Sequence, residues 1–314
     1  MYRIMLSTCI AILATAIVAG VAIGSSSTTN GLLVYEAHSG KHLQLFTVKP
    51  DGTGTRQVTH FTDSDAVWPE WSPDGKQIVF ERDVFKSGQV VRAAISVINA
   101  DGSGPRSLTP TGLNGRPSWS TDGRTIVFNT LVPGKQATVS VMSADGRHPR
   151  TVASVPLPAK GFAAFNSPRF SPDGKRIAFV WIKDSGTAIF TVGASGAGLK
   201  QLTPWKNQVA DKIGWSPDGS RIAFSSPEFG GRPGVSANVY TVRPDGSGRV
   251  ELTHDRGGEV NNGFDSWSPD GTKIAFASNR GGTYSIYAMN TDGTSVVQIT
   301  KGTEAHHAAW GSHL

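Results

Sequence analysis

Trp71-Ser-Pro-Asp-Gly75, running on into Lys76-Gln-Ile-Val-Phe80, is the stretch whose reading decides the fold, because it recurs. Trp119-Ser-Thr-Asp-Gly123 leads into Ile126-Val-Phe, Phe170-Ser-Pro-Asp-Gly174 into Ile177-Ala-Phe, Trp215-Ser-Pro-Asp-Gly219 into Ile222-Ala-Phe and Trp267-Ser-Pro-Asp-Gly271 into Ile274-Ala-Phe. Trp310 stands where a further copy would begin, and the aromatic residues are spaced 48, 51, 45, 52 and 43 apart. A period of about 40 to 50 residues with turn residues at constant offsets marks a repeat architecture.

A second motif lies between copies of the first. It reads Phe46-Thr-Val-Lys-Pro-Asp-Gly52 with Gln57-Val-Thr59, and later Val97-Ile-Asn-Ala-Asp-Gly102 with Ser107-Leu-Thr109. Further forms end at Gly146, Gly196, Gly246 and Gly293, which makes six copies. Each unit thus offers four short apolar runs, and two of the connections within it carry Asp-Gly. Glycine supplies the positive-φ position of a tight hairpin and Asp caps it, while Pro is kept out of a central strand. A four-stranded antiparallel meander follows. The Ile-Ala-Phe runs are apolar at consecutive positions, which calls for strands covered on both faces. One sheet cannot cover both its faces, but a ring of such sheets can, with only short edges left. The expected fold is therefore all-β: a six-bladed β-propeller of four-stranded antiparallel blades. The first unit, Gly31 to His60, lacks an innermost strand, and Ala305-His-His-Ala-Ala-Trp310 is a strand with no followers. The C-terminal strand is therefore expected to close blade one.

Bulk composition agrees. Charged residues make up only 17% of the 314 residues and Gly numbers 37, which suits short strands and tight turns. The one cysteine is Cys9, so no disulfide and no thiol chemistry is expected of the folded part. The net charge of +6 comes without a run or stripe of Lys and Arg, so no nucleic-acid partner is expected. Arg3 precedes an apolar run from Ile4 to Ile23, with Ala22 and Gly24 at the small-residue places of a cleavage site. Residues 1–24 read as a secretory signal peptide or, since the run is also long enough to span a bilayer, as an uncleaved membrane anchor. Leu6-Ser-Thr-Cys9 lies too early in that run for a lipoprotein box. Residues 25–30 are a short linker and 31–314 the propeller. Each reading places the propeller outside the cytoplasm, periplasmic or extracellular, with membrane contact only through the N-terminal segment.

The repeat Trp-Ser-Pro-Asp-Gly-x-x-Ile-Ala-Phe followed by Asp-Gly and x-Leu-Thr resembles that of the TolB-type, WD-like propellers, over essentially all of 31–314. In that family TolB itself is a periplasmic component of the Tol–Pal envelope system whose propeller binds a peptidoglycan-associated lipoprotein, and it carries an α/β domain ahead of the propeller. Here Ser25 to Asn30 alone separates the leader from the first strand, so a stand-alone propeller is expected. The sequence departs from the pattern at Phe170, Thr121 and Gly193-Ala-Ser-Gly196.

Strands of a meander alternate in direction, so the Asp-Gly turns share one uniform face. The other face carries the varied segments: Asp83 to Arg92, Leu131 to Ala137, Val152 to Phe165, Pro204 to Asp211, Pro227 to Ser236 and His254 to Asn262. Variation on a rigid scaffold is where function usually lies. Residues three to five places before each motif aromatic should ring the axis there: Asn114, Arg116, Asn166, Asp211, Lys212, Asn262, His306 and His307. Trp205 and Phe229 are candidate aromatic anchors on the same face. Such a ring either satisfies the strand ends and channel water or contacts a ligand or peptide at the mouth. Adjacent histidines on a strand point to opposite faces, so only one of His306 and His307 should reach the axis, and no metal site is expected.

The sequence holds no nucleophile elbow, no His-Glu-x-x-His and no phosphate loop, and its Asp-Gly-Ser-Gly pieces lack the alternating acidic ligands of a calcium loop. No catalytic residue and no cofactor is expected. The reading is an exported, monomeric, non-enzymatic module that binds an envelope or secreted protein. The alternative is a propeller enzyme, lyase- or hydrolase-like, acting on a glycan or small molecule at the channel mouth.

Overall fold

The computed structural model describes residues 30–207, 209, 212–227 and 234–312. The leader of residues 1–24, almost all of the linker, Asp211 and Phe229 lie outside the described residues. The first unit contains β1 (Asn30–Ser39), β2 (His42–Val48) and β3 (Arg56–Gln57). The second contains β4 (Ser64–Trp71), β5 (Gln77–Lys86), β6 (Gln89–Asn99) and β7 (Arg106–Ser107), and the third β8 (Leu113–Trp119), β9 (Thr125–Val132), β10 (Gln136–Ser143) and β11 (Arg150–Pro156). The fourth contains β12 (Ala163–Phe170), β13 (Arg176–Lys183), β14 (Gly186–Gly193) and β15 (Lys200–Gln201). The fifth contains β16 (Ile213–Trp215), β17 (Ile222–Ser226), β18 (Asn238–Val242) and β19 (Val250–Glu251), and the sixth β20 (Asn262–Trp267), β21 (Lys273–Ser278), β22 (Ser285–Asn290) and β23 (Val297–Gln298). Last comes β24 (Ala305–Ser312), which pairs antiparallel with β1 through Leu33↔Trp310 and Val34↔Ala309.

The expectation of six four-stranded blades is corrected by the pairing. The strands form five sheets, of which four are four-stranded blades and one has eight strands. The second and third units are fused by a parallel bridge, Ala93↔Leu113, reinforced by a 3.1 Å hydrogen bond from the Ala93 amide to the Gly112 carbonyl. The cause is the length of β5 and β6, at 10 and 11 residues. They continue through Asp83 to Arg92, expected to be a loop, and turn only at Ser87-Gly88, both with positive φ. The far end of β6 thereby reaches the start of β8.

Both motifs build this ring by specific chemistry. In each Ser-x-Asp-Gly turn the Ser hydroxyl donates to the Asp two residues on, at 2.6 Å for Ser72 and Asp74, and accepts the amide five residues on, at 2.9 Å for Gln77. The same pair of bonds recurs at Ser120, Ser171, Ser216 and Ser268. The Thr of x-Leu-Thr replaces a ladder bond beyond each two-residue outer strand: Thr59 Oγ1 accepts the Leu45 amide at 2.8 Å, with equivalents at Thr109, Thr203, Thr253 and Thr300. The third unit has Ala153 at that place, and there the outer strand β11 itself continues for 7 residues.

The apolar runs sort by period two onto the two faces of each unit. Ile78 and Phe80 pack toward the first unit with Val34, Leu45 and Ala309, whereas Val79 packs toward the third with Trp119 and Ile126. Each fully buried side chain of this kind contributes about 1.5–3 kcal/mol. The circle closes where Ala275, Ala277 and Ile286 of the sixth unit meet Leu33, Tyr35 and Trp310. The turn glycines interlock the same way. A Cβ on Gly102, at φ +86, would lie 2.7 Å from the Val58 carbonyl oxygen of the preceding unit, and one on Gly52 would lie 2.8 Å from that of Ile299, across the closure.

Removal of residues 303–314 is expected to abolish the cooperative unfolding transition, because it strips the first unit of its innermost strand and leaves β1 paired only with β2. Trp310→Ala, which truncates a buried indole, should cost about 3–5 kcal/mol. Chemical denaturation monitored by tryptophan fluorescence checks both, and an unchanged curve for the truncated protein would overturn the closure.

Candidate functional site

The innermost strands are bent at one shared position. Trp68, Arg116, Ser167 and His307, each the third residue before its motif aromatic, have φ of 55, 51, 45 and 50°. The ladder slips there in β4, β8, β12 and β24. A bulky residue in this region costs on the order of 1–3 kcal/mol. In two cases a buried carboxylate on the second strand of the preceding unit offsets that cost by accepting the amide the bulge frees. Glu36 accepts from Trp68 at 2.7 Å, and Glu81 accepts from Arg116 at 2.9 Å.

These bulges direct side chains onto the axis. The His307 imidazole stacks on the Trp68 indole with centroids 3.5 Å apart, and the Arg116 guanidinium lies over the Trp68 ring, 4.2 Å from its centroid. His307 Nδ1 is 2.7 Å from Glu36 Oε1. Burial pushes Glu36 up, but the charge, hydrogen bond and nearby amide contributed by His307 and Trp68 bring it below the ordinary carboxylate value. Burial also holds His307 below the ordinary imidazole value, against the pull of Glu36. At neutral pH the pair is therefore a carboxylate accepting from a neutral imidazole.

Deeper along the axis, Lys212 donates to the Ala308 carbonyl at 2.9 Å and the His307 carbonyl at 3.3 Å, and pairs with Glu70 at 3.3 Å. Glu70 also binds Arg169 at 2.7 Å. Asp265 is pushed up to about 8 by burial, against the favourable charge of Lys212 and the Ala308 amide. These groups come from the innermost strands of five different repeat units, or from the residue just before one. They hold the centre of the ring with charge rather than with a packed apolar plug.

One cavity opens from this centre on the face of the varied loops. It has a volume of about 280 Å³ and is lined by Glu81, Asp83, Asn114, Arg116, Asn129 and Asn166, with Val90 and Phe162 among its apolar lining residues. Gly115 makes room for it: a Cβ there would lie 2.5 Å from Glu81 Oε2. Glu81 and Asp83, two apart on β5, point to the same side. Asp83 is pushed up to about 8, first by burial and then by the neighbouring Glu81, with which it shares a hydrogen bond. Glu81 is raised as well, by burial. Larger cavities of about 650 and 540 Å³ lie in grooves between neighbouring units and are lined by motif residues such as Pro217, Asp218 and Trp267, or Trp71 and Gly75. Uniform turn residues line those grooves, so they carry less of the chemistry that distinguishes one unit from another.

The structure brings Asn114, Arg116 and Asn166 together in the 280 Å³ cavity and joins Lys212 to His307 at the axis. His306 turns away, against Tyr284 at 4.8 Å. Asn262 is fully buried among Ala237, Asn238, Asp255 and Arg280, where it anchors a loop. Trp205 packs on Trp181 and Phe190 under Lys183, again as a loop anchor. Among the described residues no group of three or more His, Cys, Asp or Glu side chains is placed to hold a metal ion. Sequence reasoning missed Glu36, Trp68, Glu70, Glu81, Asp83, Asn129, Arg169 and Asp265. Glu36, Glu81 and Asn129 share a signal that could have found them: each directly follows the aromatic residue that ends an apolar second-strand run.

A closed ring of small antiparallel sheets, with a charged axis and a cavity on its loop face, defines a β-propeller. Residues 214–313 match the TolB beta propeller domain. An uncharacterized protein of Agrobacterium fabrum, Atu1656, is 30% identical over 203 residues, covering 63% of this chain and 60% of that protein. The Tol-Pal system protein TolB of Francisella tularensis subsp. mediasiatica is 26% identical over 253 residues, covering 79% of this chain and 54% of that protein. The crystal structure of TolB from Acinetobacter baumannii superposes with a TM-score of 0.68 at 21% identity, covering 90% of this chain and 66% of that one. The propeller is of the TolB type. The chain spans between about half and three-fifths of the length of these two curated relatives.

The raised acids set a pH dependence. Asp83 and Asp265 titrate near 8 in the folded protein against 3.8 as ordinary aspartates, so the folded state holds extra protons between those values. The stability they contribute is present at low pH and lost as pH rises toward 8. Above about pH 6.5 the lowered His307 no longer opposes this. Tm measured by calorimetry should therefore fall from about pH 6.5 to about pH 8.5, and Asp265→Asn should flatten the fall.

Proposed function

We propose that this propeller is an exported, non-enzymatic binding module that docks a protein of the cell envelope on its loop face. The observation that carries the reading is the make-up of that face around the 280 Å³ cavity. A polar floor of Glu81, Asp83 and Asn129 lies beside apolar side chains left in solvent. Val91 is 53% exposed and Phe162 is 50% exposed, and Phe85 and Val90 face each other across the same hairpin as Val91. Exposed apolar residues set around convergent polar groups are the make-up of a protein interface. The basic-then-apolar start of the chain supports an exported setting, and the likeness to a Tol-Pal system protein supports the envelope. Arg116, Asn166, Lys212 and His307 support the floor of this surface or the axis beneath it.

Capture from envelope extracts with the wild-type propeller, followed by calorimetry with the purified partner, tests the reading. Phe162→Ser and Val91→Ser should each weaken that partner at least about tenfold, or 1.4 kcal/mol, as interface anchors do. Wild-type affinity in both variants would remove the loop face from consideration.

A further inference from the structure

On the turn face the repeat register sets three residues around each groove between consecutive units. They are the residue just before the apolar run of the second strand, the first residue of the outer strand and, from the next unit, the residue three before the glycine of its second motif. Between the fourth and fifth units these are Arg176, Lys200 and Arg243, and all three line one cavity of about 460 Å³. No other of the six grooves has a cation at all three places. The groove between the sixth and first units comes nearest, with Lys273 and Lys49 but Val297 at the third place.

These cations are not spent on the fold. Arg221, the counterpart of Arg176 in the fifth unit, donates to the Gly248 carbonyl at 2.8 Å and the Thr241 hydroxyl at 3.3 Å. Arg176 makes neither kind of bond. Its guanidinium lies 5.0 Å from the centroid of the Trp215 ring and has no hydrogen-bond partner among the described residues. Arg56 and Arg150, the counterparts of Lys200 in the first and third units, staple the next unit through the Ala100 carbonyl at 2.6 Å and the Ala194 carbonyl at 2.8 Å. Lys200 is exposed and makes no such staple among the described residues, and Arg243 is exposed as well. The carboxylate in the lining is Asp245, whose Oδ1 already accepts the Ser247 amide at 2.8 Å. Asp173, near Arg176 but outside the lining, is taken up by the Ser171 hydroxyl and the Lys175 amide. Three cations against one carboxylate leave the lining at +2.

Like charges gathered in a cleft focus the field there and draw in an anion. The set is also chemically selective. A carboxylate is planar and is served by a single guanidinium fork, whereas a phosphoryl group presents oxygens in several directions and suits two forks and an ammonium arriving from different strands. A phosphomonoester carries about −1.5 to −2 charge at neutral pH, which matches the lining. The cavity leaves room for the organic group that bears the phosphate. We infer that the groove between the fourth and fifth units binds a phosphomonoester, its oxygens held by Arg176, Lys200 and Arg243. This site stands apart from the loop face and does not rest on the docking reading.

The probe is glycerol 3-phosphate, titrated into isotope-labelled full-length protein and followed by NMR. Saturable shifts are expected at the Gly198 amide and the Thr191 methyl, which line the groove. Glycerol, which lacks the charge, should not produce them, and succinate, a dianion without a phosphoryl group, should bind at least about tenfold more weakly. Arg176→Gln and Arg243→Gln should each weaken glycerol 3-phosphate at least about tenfold, whereas Arg221→Gln should leave it unchanged. Thermal unfolding confirms that the variants fold. Phosphatidylcholine vesicles with and without phosphatidic acid decide the source of the group. Sedimentation only where phosphatidic acid is present, lost in Arg176→Gln and competed by glycerol 3-phosphate, assigns a lipid headgroup. Binding of glycerol 3-phosphate without such sedimentation assigns a soluble phosphomonoester. Equal binding of succinate, wild-type affinity in both groove variants, an equal loss in Arg221→Gln, or no binding of either glycerol 3-phosphate or phosphatidic acid overturns the inference.

Discussion

Everything in this protein depends on the pairing of β24 with β1. Apolar runs such as Ile78-Val-Phe80 place side chains on both faces of a strand, and each face is buried only if a neighbouring unit covers it. In an open row of units the two end faces would be exposed. Closing the row into a ring removes both ends, and the last core joins Ala275 and Ala277 to Leu33 and Tyr35. The seam is then locked by contacts of the kind found between the other units, with Gly52 against the Ile299 carbonyl as Gly102 is against Val58.

A ring built this way has an inner edge, and the polar groups there need partners. The bulges at Trp68, Arg116, Ser167 and His307 turn side chains toward the axis and withdraw amides from the ladder. The partners come from neighbouring units: Glu36 for Trp68, Glu81 for Arg116, and the Ser266 hydroxyl for the Trp310 amide. Lys212, held by Glu70 and two carbonyls, ties the units together across the centre. Removing one member of such a buried network leaves an uncompensated charge. The axis is therefore better understood as a structural element than as a channel. The 280 Å³ cavity lies to one side of it, where the second and third units fuse.

That fusion gives the loop face its asymmetry. The motifs make the turn face nearly uniform, whereas among the described residues the second unit has the longest hairpin, of β5 and β6. It carries Asp83 into the cavity and Val90 to its opening, and it bridges to β8 through Ala93 and Leu113. Asp83 and Glu81 stay within one hydrogen bond of each other because they share a strand face; burial raises both, and the neighbouring Glu81 raises Asp83 further. The same strand in the fourth unit has Val180 where the second has Glu81, and no comparable carboxylate pair forms there.

The local period of the chain determined the strands, the turns and the return of the C-terminal strand to the first unit. Those features are written in short-range chemistry: Asp-Gly turns, Ser-Asp locks and consecutive apolar residues. The same reading located Asn114, Arg116, Asn166, Lys212 and His307 at the inner edge, since position relative to the motif aromatic sets position relative to the axis. It could not tell that Asn262 and Trp205 anchor loops, because their partners Arg280 and Trp181 lie 18 and 24 residues away in sequence. It also could not foresee the eight-stranded sheet, which turns on one bridge between Ala93 and Leu113. Tertiary structure alone decided that Glu81 and Asp83 of β5 meet Asn129 of β9 in one cavity, because those strands belong to successive repeats and are brought together by the packing and bridging of the second unit against the third.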